Sequence, residues 1–157
     1  MPLRLTRSVL MNPVETILAV LMVLITVDVL AAVVFRYVLQ MPLGFYDELA
    51  RFLFIWVAFL GAVVGVRRRG HFAIHLLGHR LPARLLRALS LLIYLGTLAF
   101  AGLLVEEGIK IVQLTSPQLS PAMEISMAYL YAVLPVSGAL MILYLIPQIV
   151  QELRGQN

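Results

Sequence analysis

The residues with the chemistry to do more than fill a bilayer are few: acids and bases at Asp28, Arg36, Asp47, Glu48 and Arg51, and histidines at His71, His75 and His79. Asp28 stands in the middle of an apolar run, where a carboxylate costs about 2.5 to 3.5 kcal/mol. It is therefore read either as a proton or sodium site or as a buried hydrogen bond to a neighbouring helix or a partner subunit. No second carboxylate or polar cluster is placed to complete an ion cage, which favours the hydrogen bond. Arg36 lies two helical turns further on, about 12 Å along a helix axis, too far to pair with Asp28 directly. Its guanidinium either snorkels to the headgroups or bridges to Asp47 or Glu48 across the turn. Arg51 follows that acidic pair at ion-pair spacing.

The three histidines recur at i, i+4 and i+8, a spacing that could present one face to a metal or a haem. They lie among arginines, and no carboxylate follows to orient them, so ligation is the weaker reading. The sequence has no cysteine, which removes disulfides, thiolate metal sites and a thiol nucleophile. No nucleophile–base pair, phosphate loop or zinc motif is present. Neither catalysis nor a cofactor nor a bound metal is expected.

The elements that must hold these residues are membrane helices. Of 157 residues, 62% are hydrophobic and 13% charged, with a mean hydropathy of +0.98, outside the range of a soluble globular domain. About 20 apolar residues cross a bilayer core of about 30 Å, so the chain is read as an all-α integral membrane protein. It forms one membrane domain over 1–157, with spans at about 14–39, 47–66, 83–110 and 125–149. The basic start followed by a long apolar run is read as an uncleaved first span rather than a secretory signal. The pI of about 9.9 comes from arginines clustered at the ends of apolar runs, which points to a lipid bilayer and not to nucleic acid.

Nine basic residues (Arg4, Arg7, Arg67, Arg68, Arg69, Arg80, Arg84, Arg87 and Arg154) fall on one side of this arrangement and three (Arg36, Arg51 and Lys110) on the other. The positive-inside rule then puts both termini and the middle loop in the cytoplasm, with Arg67, Arg68 and Arg69 as the main topology signal. Arg80, Arg84 and Arg87 form a basic stripe that suits an interfacial helical segment between spans two and three. Trp56 falls near the centre of span two, so its indole N–H is expected to be buried against protein. Gly61 and Gly65 form a GxxxG spacing that permits close helix approach. Pro135, with Ser137 and Gly138, marks either a discontinuous helix or an ordinary proline kink, of which the kink is favoured.

In order and spacing, Arg36-Tyr37, Asp47-Glu48-Leu49-Ala50-Arg51, Phe54-Ile55-Trp56, Phe59-Leu60-Gly61-Ala62 and Gly70-His71 resemble the DctQ-like small membrane subunit of tripartite ATP-independent periplasmic (TRAP) transporters. Ser120-Pro121-Ala122 and Pro135-Val136-Ser137-Gly138 extend the likeness. One departure is visible: members often carry an acid a few positions after the Gly-His, where this chain has His75. The resemblance implies a non-catalytic subunit in the bacterial inner membrane, joined to a large permease and served by a periplasmic substrate-binding protein. Such transporters import small organic anions, usually driven by sodium. The small subunit would widen the static scaffold against which an elevator-type domain slides. The other readings are a haem-bearing anchor of a respiratory enzyme, on the histidines, and a self-sufficient ion-coupled transporter built on Asp28.

Overall fold

The computed structural model describes residues 13–41, 43–68 and 83–153. The histidines, Arg69 and the expected interfacial segment lie outside them, as do the side chains of Arg84 and Arg87. The described residues form helices α1 (Pro13–Tyr37), α2 (Gly44–Arg67), α3 (Ala83–Thr115), α4 (Ala128–Tyr131) and α5 (Val133–Leu153). Four segments, Pro13–Tyr37, Gly44–Arg67, Ala88–Thr115 and Ala128–Leu153, are long and apolar enough to cross a membrane. The four expected spans are therefore present, with shifted ends.

Each shift has a local cause. Helix α1 stops at Tyr37 rather than near 39 because Gln40 takes a left-handed backbone (φ 53°) and the amide of Met41 turns back to the carbonyl of Phe35 at 3.0 Å. Helix α2 begins at Gly44, three residues before the expected start, so Asp47 sits in its first turn. Helix α3 runs on past 110 to Thr115, because Lys110 pairs along the helix with Glu106 and Glu107, each at 2.8 Å. Pro117 then ends it, since the residue before a proline avoids helical geometry. The fourth span starts at Ala128 rather than 125, because residues 119–126 are already committed to an antiparallel β-bridge between Leu119 and Ser126. There the amide of Ser120 donates to Ile125 and that of Met127 to Gln118, both at 2.9 Å. Helix α4 is separated from α5 by Ala132 alone, which keeps a right-handed helical backbone. Pro135 has no N–H for the carbonyl of Tyr131, four residues back. The interruption falls three residues before Pro135 and keeps a right-handed helical backbone.

The chain divides into two compact units, residues 1–61 with 111–133 and residues 62–110 with 134–157. In the first, α1 turns a seam inward through Val14, Leu18, Leu21, Ile25, Asp28, Ala32 and Phe35, with Glu15, Thr16 and Ala31 shielded beside it, while Ile17, Val20, Val23, Val27, Leu30 and Val34 are exposed. The steps of four and three are those of helices packed knobs-into-holes. Phe35 meets Tyr46 of α2 with ring centroids 5.2 Å apart, so the α1 seam faces α2. The exposed remainder is apolar, as a bilayer requires.

In the second unit, α5 presents Leu134, Gly138, Met141, Leu145 and Gln148 at the same steps, and α3 presents Tyr94, Ala101 and Gly108 seven residues apart. The contact is made by small residues. A Cβ added at Gly138 would fall 2.7 Å from the carbonyl oxygen of Ala101, and one at Gly108 would fall 2.7 Å from Cδ of Pro135. Apolar burial gives helices little reason to associate in lipid, so such close backbone approach supplies the packing. The GxxxG pair does not serve this role among the described residues, none of which lies within 4 Å of a Cβ added at Gly61 or Gly65. Gly138→Ala is predicted to cost about 1 to 3 kcal/mol through overpacking against a fixed backbone atom, and Gly65→Ala to be neutral or slightly stabilising. Reversible unfolding in bilayer-like micelles checks both, and equal effects would contradict the packing described.

Candidate functional site

The chemistry-bearing residues of the first unit gather where the α1–α2 turn meets the loop at 116–127. One guanidinium nitrogen of Arg36 reaches both carboxylate oxygens of Asp47, at 3.0 and 2.7 Å. This is the cross-turn bridge, so Arg36 spans the two helices instead of only snorkelling. Its partners are about half exposed, so the pair sets the geometry of the turn more than it adds stability. Phe45 stacks edge-on against Tyr46 at 5.6 Å, closing the same turn with aromatic contacts.

Glu48, the neighbour of Asp47, points the other way. It is buried, and its Oε2 accepts the backbone amides of Ala122 and Met123 at 2.8 and 2.9 Å. Those two amides sit at the bend of the bridged hairpin, where Glu124 takes a left-handed backbone (φ 54°) and its amide donates to Ser120 at 3.1 Å. A carboxylate is the acceptor that two converging N–H groups need, and the charge makes each bond stronger than a neutral one. The bend packs beside Gly44, where an added Cβ would lie 3.8 Å from that of Ala122, an ordinary contact. Ser126 completes the loop, its hydroxyl donating to the carbonyl of Ser116 at 2.7 Å and accepting from the amide of Ala128, the first residue of α4, at 3.2 Å. Arg51 is exposed and acts on Glu48 through the electrostatic field.

Trp56 behaves as its central position requires. The half-buried indole donates Nε1–H to the carbonyl of Tyr129 at 3.1 Å, tying α2 to α4. That carbonyl is available because Val133 is the first residue of the next helix, past the interruption. Asp28 is 6% exposed, and neither carboxylate oxygen has a hydrogen-bond partner, so the hydrogen bond favoured for it within the chain is not made. In the second unit the end of α2 is held differently: Nε2 of Gln148 donates to the carbonyl of Val66 at 3.1 Å, and Arg67 lies over the ring of Tyr144 at 5.7 Å. Arg68 extends the last turn through its amide to Val64 at 2.9 Å. No group of three or more metal-binding side chains occurs among the described residues.

Sequence reasoning offered the Arg36–Asp47 bridge as one of two readings, and found Glu48 and Trp56 but missed their targets. The acceptor of the Trp56 bond and the donors to Glu48 are backbone groups, which carry no side-chain signature. Gly44, Ala122 and Gln148 were likewise invisible as partners. Because Glu48 satisfies two amides and Arg36 only one exposed acid, their losses should differ. Glu48→Ala is predicted to speed hydrogen exchange at the amides of Ala122 and Met123 roughly tenfold, and Arg36→Ala to leave them unchanged. Mass-spectrometric exchange on the lipid-embedded chain reads this, and protection unaltered in Glu48→Ala would refute the clamp.

Comparison with known proteins matches this chain to the family model of the DctQ component of tripartite ATP-independent periplasmic transporters over residues 22–155. It is 33% identical over 112 residues to the isethionate TRAP transporter permease protein DctMQ of Oleidesulfovibrio alaskensis, covering 70% of this chain and 17% of that protein. It is 36% identical over 62 residues to a putative TRAP transporter small permease protein of Haemophilus influenzae, covering 40% of this chain and 38% of that one. The sialic acid TRAP transporter permease protein SiaT of Haemophilus influenzae is 30% identical over 112 residues, 71% of this chain and 18% of its own. The matched regions thus span well under half the length of each relative. With four helices able to cross a bilayer, the chain is a multi-pass protein of the bacterial inner membrane and belongs to the DctQ family of TRAP transporter small permease components.

Proposed function

We propose that this chain is the scaffold subunit of a secondary-active TRAP transporter that imports small organic anions, carboxylates among them. It does so together with a large permease subunit and a periplasmic substrate-binding protein. The observation that carries the reading is the DctQ match across 134 of 157 residues (22–155). Arg36, Glu48 and Trp56 each hold a neighbouring segment, which is what a static support needs and a substrate site does not. The relatives named for isethionate and sialic acid are both named for organic anions. In each, the chain corresponds to under a fifth of the length, which leaves room for a large permease on the same polypeptide.

In the orientation given by the arginine bias, the Arg36–Asp47 turn and the Glu48-held loop face the periplasm. Arg67 and Arg68 face the cytoplasm. The exposed apolar surface of α1 and α3 meets lipid or the permease. Recognition of the anion then falls to the other components. Affinity capture of the tagged chain from its native membrane is predicted to recover a large multi-helix permease. Deletion of the chain is predicted to abolish uptake of one organic acid, and reintroduction to restore it. Capture without a permease, together with undiminished uptake in the deletion strain, would sink the proposal.

A further inference from the structure

Asp28 stands one heptad before Phe35 on the seam of α1 that faces α2. It is 6% exposed, and both carboxylate oxygens are fully shielded without a hydrogen-bond donor. The Thr26 hydroxyl donates to the carbonyl of Met22 at 2.7 Å. Of the cations on the hairpin, Arg36 is held by Asp47 at 2.7 Å, and Arg51 is exposed and makes no hydrogen bond to Asp28. On α1 itself the residues three and four positions away are Leu24, Ile25, Ala31 and Ala32. Counting back along α1 from the Phe35–Tyr46 contact places Asp28 level with roughly 53–56 on α2, by the rise per helical residue. Those residues are Leu53, Phe54, Ile55 and Trp56, and the one polar atom among their side chains, Nε1 of Trp56, is spent on Tyr129.

A bare carboxylate cannot persist in such surroundings without a counter-charge. Sodium would require several oxygen ligands, and the seam offers the two of Asp28. A proton requires one. We propose that Asp28 is a proton-binding site: one carboxylate oxygen takes a proton from the aqueous phase as the hairpin assembles, forming an O–H bond, and the neutral acid is then held in the seam. The neutral acid leaves no charge in the bilayer. The site is independent of the transporter reading, because it depends only on α1 and α2 packing in a membrane.

The chain contains two aspartates, Asp28 and Asp47, so the site can be read without ambiguity. With aspartate labelled by 13C at the side-chain carboxyl and the full chain in lipid nanodiscs at neutral pH, infrared spectroscopy should show one isotope-shifted C=O stretch of a protonated carboxyl. Asp28→Asn should remove that band, Asp47→Asn should leave it, and exchanging potassium for sodium chloride should not alter it. If Asp28→Asn fails to assemble, the Asp47→Asn chain, whose only aspartate is Asp28, still decides the matter. An ionised-carboxylate spectrum from that chain would overturn the proposal. A protonated band that vanishes on adding sodium would overturn it too, by making the site a sodium site.

Discussion

Two backbone amides at the bend of a loop, and one carboxylate turned to receive them, are the interaction on which the first unit depends. Without Glu48, the N–H groups of Ala122 and Met123 would lose the one carboxylate on which they converge, and an amide left without its acceptor costs about 1 to 3 kcal/mol. With it, the segment between α3 and α4 is tied to the first turn of α2 at 2.8 and 2.9 Å. The Trp56 to Tyr129 bond repeats the tie two turns further along α2. Arg36 and Asp47 then secure α1 to the same helix end. Three successive segments are thus referred to one helix by polar bonds, each satisfying a group that lipid could not.

The second unit uses a different device for the same end. Its α3 and α5 carry few polar groups toward each other and approach through Ala101, Gly108 and Gly138, where an added methyl would strike Pro135 or a backbone carbonyl. Dispersion across that surface replaces the hydrophobic drive that a soluble protein would have. The end of α2 is finished by Gln148, whose amide meets the carbonyl of Val66, and by the stacking of Arg67 on Tyr144. Arg67, expected from the sequence to mark topology, is also a packing residue, because its planar guanidinium lies over the ring of Tyr144.

Much of this was legible in the residues. Four apolar runs gave the helices, the Asp47-Glu48 pair marked the first turn of α2, and a central tryptophan announced a buried donor. What escaped was set by groups that do not differ between residue types. The hairpin at 116–127 is built from backbone bonds, so its six-residue stretch SPQLSP read as a plain loop and the following helix was begun three residues early. Gly61 and Gly65 had the spacing of a packing motif and lie open within the chain, while Gly108 and Gly138, with no motif around them, make the close contacts. Spacing records which positions share a face, but only the neighbouring helix decides which face is used. For Asp28, the sequence revealed the cost of the charge but not whether a partner met it.

On the proposed reading the chain is a rigid support, and rigidity is open to direct test. Because the chain has no cysteine and a Cβ at Gly44 would lie 3.8 Å from that of Ala122, the pair Gly44→Cys and Ala122→Cys meets the spacing of a disulfide. The decisive measurement is organic-acid uptake by the complex before and after oxidation of that pair. A static scaffold predicts the same transport rate in both states. Uptake that falls on oxidation and returns on reduction would show that the loop must leave α2 during transport, and would contradict the account.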